Sequence, residues 1–459
     1  MGNNLGMDPG RVANATAVMG IQAATLSMIA DEIGETGKAS RWPGVFGLFP
    51  GNQIMTAGSI FLAENAAADV RAAAASAFDL LGRINAQIAE QEYASSSGEG
   101  YATGTMGSAQ ASILYNGAMA DPDSLVGMSP ENVDEWWGLL SQEQKDAFIA
   151  AHPLAAGNTN GIAFEDRAAA NRLTAQDMLD SRQDLTADQR SYLEDVAASE
   201  ITLISFDPGS DRIIEMVGEL RPEAVTDANG NTLPATTDVV NYVPGTEANM
   251  DGFYSGTTRE MAANLVANAD PAGTTVAFVY KDGEFPTFGT DGVYHSSWAA
   301  SVGSGYHDFN TALGFENTNK VPVTSIEHSF GSSVGGYAES QGTVFGTRIA
   351  LGGIGMTDEW KPNAGTNYFS FTGPNDVIRL AREKGTESLN LGFPIPPTEQ
   401  SGYTELDPDF ESWRPSPSRP DILDAADLLG ESIDQHTRVA GVENNQRTLD
   451  QILEIIDNS

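Results

Sequence analysis

The chain has 459 residues, 41% of them hydrophobic, enough to bury a sizeable core in two or three domains. Its 63 Asp and Glu against 24 Lys and Arg give a formal charge of −39, a field that repels phosphate backbones and excludes nucleic acid as a partner. Cysteine is absent, which removes disulfide frameworks, thiolate metal sites and a cysteine nucleophile together.

The N-terminus, Met1-Gly2-Asn3-Asn4-Leu5, lacks the basic cluster and apolar run of a secretory signal, and no apolar stretch of membrane-spanning length follows. The expectation is a chain that is not an integral membrane protein. Export would use a route independent of a signal peptide, to the medium or the cell surface, with the cytoplasm as the alternative. Apolar or small residues at Val12, Thr16, Met19, Ala23, Leu26, Ala30 and Ile33 keep the three-four spacing of one helical face, and Val70, Ala74, Ala77, Leu81, Ile84 and Ile88 repeat it. Arg41-Trp42-Pro43-Gly44 turns the chain between them, so residues 1–98 read as an antiparallel helical hairpin. With Trp-x-Gly in its turn, this hairpin resembles the small helical substrates of type VII secretion, which implies a helical secretion partner. The tyrosine-containing signal usual after the second helix is absent, since Tyr93 is followed by Ala-Ser-Ser-Ser, and an ordinary helical oligomerisation hairpin fits the same pattern.

Small and polar residues after Tyr93 predict a flexible linker over 99–128. Helical character returns with Trp136-Trp137, a pair that reads as core packing. Ser141-x-x-Gln144 then forms a capping box ahead of Ala147, Phe148 and Ile149, and a further helix spans Glu165 to Leu179. From residue 200 the texture becomes short β-rich runs: 201–206, 213–217, 239–243, 274–280, 321–326, 348–351 and 368–371. Several are continuously apolar and the later ones alternate with Gly-rich or helical segments, which predicts a mostly parallel sheet covered on both faces. Leu449, Ile452 and Ile456 close the chain as an amphipathic helix. Residues 129–459 read as one α/β domain.

Chemistry concentrates at Val321-Pro322-Val323-Thr324-Ser325-Ile326-Glu327-His328-Ser329-Phe330-Gly331-Ser332. A buried strand runs into a sharp turn centred on Ser329, followed by small residues that open a helix: the context of a nucleophile elbow. Gly331 suits that turn, whereas Glu327 departs from Gly-x-Ser-x-Gly, and the pentapeptide alone also fits a serine in a plain βα loop. A hydrolase of this kind needs its acid and then its histidine after the serine. Of five histidines, His436 is the one far enough beyond Ser329 to arrive on a separate loop, because His328 is the immediate neighbour and is expected to point elsewhere. Asp376 follows the strand after next and a Gly-Pro turn; Asp358 and Glu359, after the preceding strand, are weaker candidates. The backbone N–H of Phe330 and that of Thr246, with Gly245 allowing close approach, are candidate oxyanion donors, although 243–246 also reads as a simple structural turn.

Trp136-Trp137-x-x-Leu140-Ser141, His152-Pro153-x-x-x-Gly157-Asn158-x-x-Gly161-Ile162 and Arg167-x-x-x-Asn171-Arg172-Leu173 together resemble the N-terminal signature of an actinobacterial α/β-hydrolase family of unassigned substrate. Val243-Pro244-Gly245, His-Ser-aromatic-Gly-Ser at 328–332 and His436-Thr437 recur in that family's order. The resemblance implies an α/β-hydrolase fold and a triad on Ser329, Asp376 and His436, the same residues that the order of the chain selects. Glu327 and Phe330 stand where the family carries Gly and Tyr. The expectation is a serine hydrolase acting on a small-molecule or lipid ester without metal or organic cofactor, with a non-catalytic binding protein of the same fold as the alternative. His295, and His307 beside Asp308, read as surface or cap residues, not metal ligands. Asp227-Ala-Asn-Gly-Asn reads as a turn, and Gly352-Gly353-Ile354-Gly355 lacks the downstream acid of a dinucleotide site.

Overall fold

The computed structural model describes residues 106–226, 229–287, 296–356, 360–379, 402–408, 410, 421–443 and 445–458. The expected hairpin over 1–98, His295, Asp358 and Glu359 lie outside the described residues. The described residues divide into two compact units, the first made of those up to Asp146 with 159–161 and 287, the second of Ala147–Asn158 and the described residues of 162–286 and 296–458.

In the first unit, helix α1 covers Ser108–Ala120, a 3-10 turn covers Pro122–Leu125 and helix α2 covers Pro130–Leu139. The segment expected as a flexible linker is therefore helical through much of its described part. Its Ala, Gln, Leu and Met are good helix formers, Gln110 accepts the N–H of Gly107 at 2.7 Å, and Trp136 donates its indole N–H to the carbonyl of Ala111 at 3.2 Å. Trp136 and Trp137 are buried with their rings edge to face at 5.5 Å, the core packing expected of them. The capping box is present, with Ser141 N–H on Gln144 Oε1 at 3.0 Å and Gln144 N–H on Ser141 Oγ at 3.3 Å.

Helices α3 (Gln142–Ala151), α4 (Pro153–Asn158), α5 (Phe164–Ser181) and α6 (Ala187–Ala197) precede strands β1 (Thr202–Asp207) and β2 (Arg212–Val217). A minor ladder, β3 (Val225–Thr226) with β4 (Thr232–Leu233), leads to β5 (Asp238–Val243), α7 (Met250–Tyr254), α8 (Glu260–Ala267) and β6 (Thr275–Asp282). Then come α9 (Ser296–Glu316), β7 (Val323–His328), α10 (Gly331–Ser340), β8 (Thr347–Leu351), β9 (Asn367–Phe371), β10 (Tyr403–Leu406), α11 (Asp421–Arg438) and α12 (Gln446–Asp457). Eight strands form one sheet in the order β1-β2-β6-β5-β7-β8-β9-β10, antiparallel across β1/β2 and β2/β6 and parallel from β6 to β10. This order is that of the α/β-hydrolase fold.

Alternate residues of each strand feed two cores. On β6, Ala277 and Val279 join Leu193, Val196, Leu265, Ile452 and Ile456 under α6, α8 and α12, while Val276, Phe278 and Tyr280 join Tyr306, Phe309 and Val334 under α9 and α10. Burial on both faces explains the continuously apolar strands. The motif residues Asn158 and Asn171 belong to this frame. Asn158 Oδ1 accepts from Phe206 N–H at 2.9 Å and from Ser205 Oγ at 2.5 Å, and Asn171 Nδ2 donates to the carbonyls of Leu203 at 2.9 Å and Gly157 at 3.2 Å, so both amides fasten β1 to the preceding helices.

Candidate active site

Strand β7 ends at His328, and Ser329 takes the left-handed region with φ 51°, which costs a residue bearing a β-carbon on the order of 1–2 kcal/mol. Four hydrogen bonds hold that conformation. Ser329 N–H donates to Leu351 O at 2.9 Å, and Ser329 O accepts from Ile354 N–H at 3.2 Å, Ser332 N–H at 3.2 Å and Ser332 Oγ at 2.8 Å. Gly331 has no room for a side chain, since a β-carbon there would lie 2.5 Å from Val243 O.

Ser329, Asp376 and His436 meet. Asp376 follows β9, and His436 stands in the last turn of α11 instead of on the loop expected for it. His436 Nε2 lies 2.9 Å from Ser329 Oγ, and His436 Nδ1 lies 3.0 and 3.1 Å from the two oxygens of Asp376. All three are at most 6% exposed, so water does not dilute these contacts. With a carboxylate at Nδ1, the proton belongs on that nitrogen and the lone pair on Nε2, facing the serine hydroxyl. Asp376 Oδ1 also accepts Ile378 N–H at 2.8 Å. Gln435 ties the loop of Asp376 to α11 by accepting Asn375 N–H at 2.9 Å, a contact with no signal in the sequence.

Gly352 is a further part of the site without a signal in the sequence. Gly352 has φ 57°, and a β-carbon on it would sit 2.9 Å from His436 Nδ1 and 3.1 Å from Asp376 Oδ2. Gly352→Ala is expected to push these two side chains apart and to lower kcat by about a hundredfold, the cost of an ångström-scale misplacement. Steady-state kinetics check this.

The loop after β5 lies beside the serine: a β-carbon on Gly245 would be 2.9 Å from Ser329 Cβ and 2.9 Å from His328 Nδ1. Neither Phe330 N–H nor Thr246 N–H donates to another described residue, and Thr246 Oγ1 is buried without a partner. Phe330 precedes α10, whose N-terminus favours negative charge, and its ring is buried edge to face against Phe285 at 5.6 Å.

Glu327 turns away from Ser329, under α10. Its Oε1 accepts from Arg348 Nε at 2.8 Å and from Ser325 Oγ at 2.7 Å, and its Oε2 from Arg348 Nη2 at 2.5 Å. Arg348 Nη1 reaches Glu339 at 2.6 Å and Nη2 reaches Ser332 O at 2.9 Å, so the network braces the first turn of α10 against β7 and β8. Gly335 matches Glu327: a β-carbon there would fall 1.9 Å from Glu327 Oε1. Glu327→Gly is therefore expected to lower both stability and activity, with unfolding free energy falling by about 3–5 kcal/mol in a denaturant melt, the cost of breaking a buried pair. Burial pushes the Glu327 carboxyl up to about 7, against the downward pull of Arg348 and Ser325. A raised carboxyl pKa contributes stability that is whole below the unfolded value of about 4.3 and is lost as pH rises through about 7. Urea melts at a series of pH values should show the stability of the wild type relative to Glu327→Gln falling across that window and level above it.

His307 Nδ1 meets Thr343 Oγ1 at 2.8 Å, and among the described residues no group of three His, Asp or Glu is arranged to hold a metal ion. Among the described residues no helix is long and apolar enough to cross a membrane.

No family model matches the chain. Two uncharacterized proteins, from two strains of Mycobacterium tuberculosis, are each 24% identical over 277 residues; the match covers 50% of this chain and 39% of theirs, so the chain spans well under half the length of these relatives. Among solved structures, esterase 2 of Thermogutta terrifontis phosphorylated by paraoxon is similar with 9% identity and a TM-score of 0.26, over 50% of this chain and 90% of its own. Esterase B from Lactobacillus rhamnosis is similar with 10% identity and a TM-score of 0.25, over 63% and 98%. Nothing about activity transfers at such identities and scores.

Proposed function

We propose that this protein is a serine hydrolase that transfers an acyl group from an ester to water. The observation that carries the reading is the buried relay from Asp376 through His436 to Ser329, at 3.0 and 2.9 Å, ending on a serine held at positive φ. His436 Nε2 takes the proton of Ser329 Oγ as the oxygen attacks the ester carbonyl, and Asp376 stabilises the imidazolium and fixes its tautomer. The negative charge that forms on the carbonyl oxygen falls to the N–H groups of Phe330 and Thr246, with Gly245 permitting the approach. Collapse of the tetrahedral intermediate breaks the bond to the alcohol, which leaves with the proton from His436, and an acyl-enzyme remains. Water then attacks the acyl carbon as His436 takes its proton, and Ser329 is restored with release of the acid.

The formal charge of −39 favours neutral or cationic esters over anionic ones, and the buried Phe285, Phe330 and Ile354 give the core beside the elbow an apolar character. A series of p-nitrophenyl esters of increasing acyl length tests the reading. Turnover that depends on chain length supports it, whereas binding without turnover across the series favours a partner-binding protein that retains the fold.

A further inference from the structure

The geometry points to His328 as a positioning residue that clamps the catalytic histidine's helix to the nucleophile elbow by donating Nε2–H to the backbone carbonyl of His436. This rests on the serine-hydrolase reading of Ser329, Asp376 and His436.

His328 Nε2 lies 3.0 Å from His436 O, across 108 positions of the chain, and the two imidazole rings are tilted at 41° with centroids 5.2 Å apart. A carbonyl only accepts, so the shared proton sits on His328 Nε2 and the lone pair on Nδ1, beside the Gly245 backbone. The acceptor is at a helix end, where main-chain carbonyls lose their partners. Ala440 N–H, which would close the turn on His436 O, donates instead to Thr437 O at 3.2 Å. His328 supplies the donor that His436 O lacks.

The consequence is a two-point hold. Consecutive residues of the elbow grip one residue of α11: Ser329 Oγ meets the His436 ring at 2.9 Å, and His328 meets its backbone at 3.0 Å. The ring contact changes as the proton moves during turnover, whereas the backbone contact does not. His328 therefore fixes where Nε2 stands while its partner atom reacts. Burial and the neighbouring His436 push the His328 pKa down to about 4, so the ring stays neutral and adds no charge beside the imidazolium that forms.

His328→Phe keeps a ring of similar size and removes the donor; His328→Gln replaces the ring with an amide that can still donate to the carbonyl. Both would be compared with the wild type and with Ser329→Ala for kcat, KM, melting temperature and the rate of labelling by a fluorophosphonate. The expected result is a fall in kcat and labelling rate of about ten- to a hundredfold in His328→Phe with KM within twofold, and recovery of most of that loss in His328→Gln. Should the phenylalanine variant not fold, the glutamine variant at near wild-type kcat still supports the clamp. Wild-type kcat in His328→Phe, or an equal loss in both variants, would overturn the clamp while leaving the hydrolase reading intact. Equal labelling of wild type and Ser329→Ala would instead overturn the hydrolase reading itself.

Discussion

Ser329→Ala is expected to lower ester turnover by on the order of 10⁶-fold in kcat, because loss of the nucleophile disables the whole relay and not one part of it. The variant should fold, since the four hydrogen bonds that hold residue 329 use its main chain and leave Oγ free for His436. The backbone strain remains in alanine, which also carries a β-carbon at φ 51°. Ser329→Gly removes it. The glycine variant, equally inactive, should therefore be more stable than the alanine variant by about 1–2 kcal/mol. Calorimetry of the two inactive variants would measure how much strain the elbow holds for the sake of exposing the hydroxyl; equal stability would show that residue 329 is unstrained.

Asp376→Asn is expected to cost about 10⁴-fold in kcat with little change in KM. The direction follows from the contacts of the carboxylate. Oδ1 accepts Ile378 N–H at 2.8 Å, so an asparagine keeps its carbonyl oxygen there and presents its amide nitrogen at the Oδ2 position, 3.0 Å from His436 Nδ1. An N–H aimed at Nδ1 from the nearer position competes with the retained Oδ1, 3.1 Å away, and shifts the ring toward the tautomer protonated at Nε2, which cannot take the serine's proton. Nitrogen chemical shifts of His436 would report the exchanged tautomer. A kcat within tenfold of wild type would mean that Asp376 does not orient the base.

The strands of the main sheet were legible in the sequence to within a few residues, because a parallel sheet covered on both faces leaves apolar runs such as Val276 to Tyr280 that few other contexts produce. Strand β10, Tyr403–Leu406, was not, since an edge strand of four residues with Thr404 and Glu405 exposed has no such run. Helix α9 is hard to read in the sequence for a related reason. Its Gly303 and Gly305 lower helix propensity, yet Gly303 is where α9 approaches α10 so closely that a β-carbon would lie 2.7 Å from Tyr337 Cβ.

At the site, chain order was enough to select Ser329, Asp376 and His436 as neighbours. What escaped were residues whose role is spatial. Gly352 lies in a glycine run whose spacing resembles only a dinucleotide motif, and Gln435 and His328 make their contacts with main-chain atoms far away in sequence. Glu327 stands out in the sequence only as a departure from Gly-x-Ser-x-Gly, because its partner Arg348, on the adjacent strand, cannot be assigned without register: Glu327 pairs with Ala350, which puts Arg348 two residues away on the same ladder.

The most direct measurement is intact-mass analysis and peptide mapping of the full chain after treatment with a fluorophosphonate. Ser329 Oγ would displace fluoride from phosphorus, leaving a single phosphonyl group on the peptide that carries Ser329, at a rate that falls sharply in His436→Ala. An unlabelled protein, or a label on any other residue, would contradict the assignment of Ser329 as an activated nucleophile.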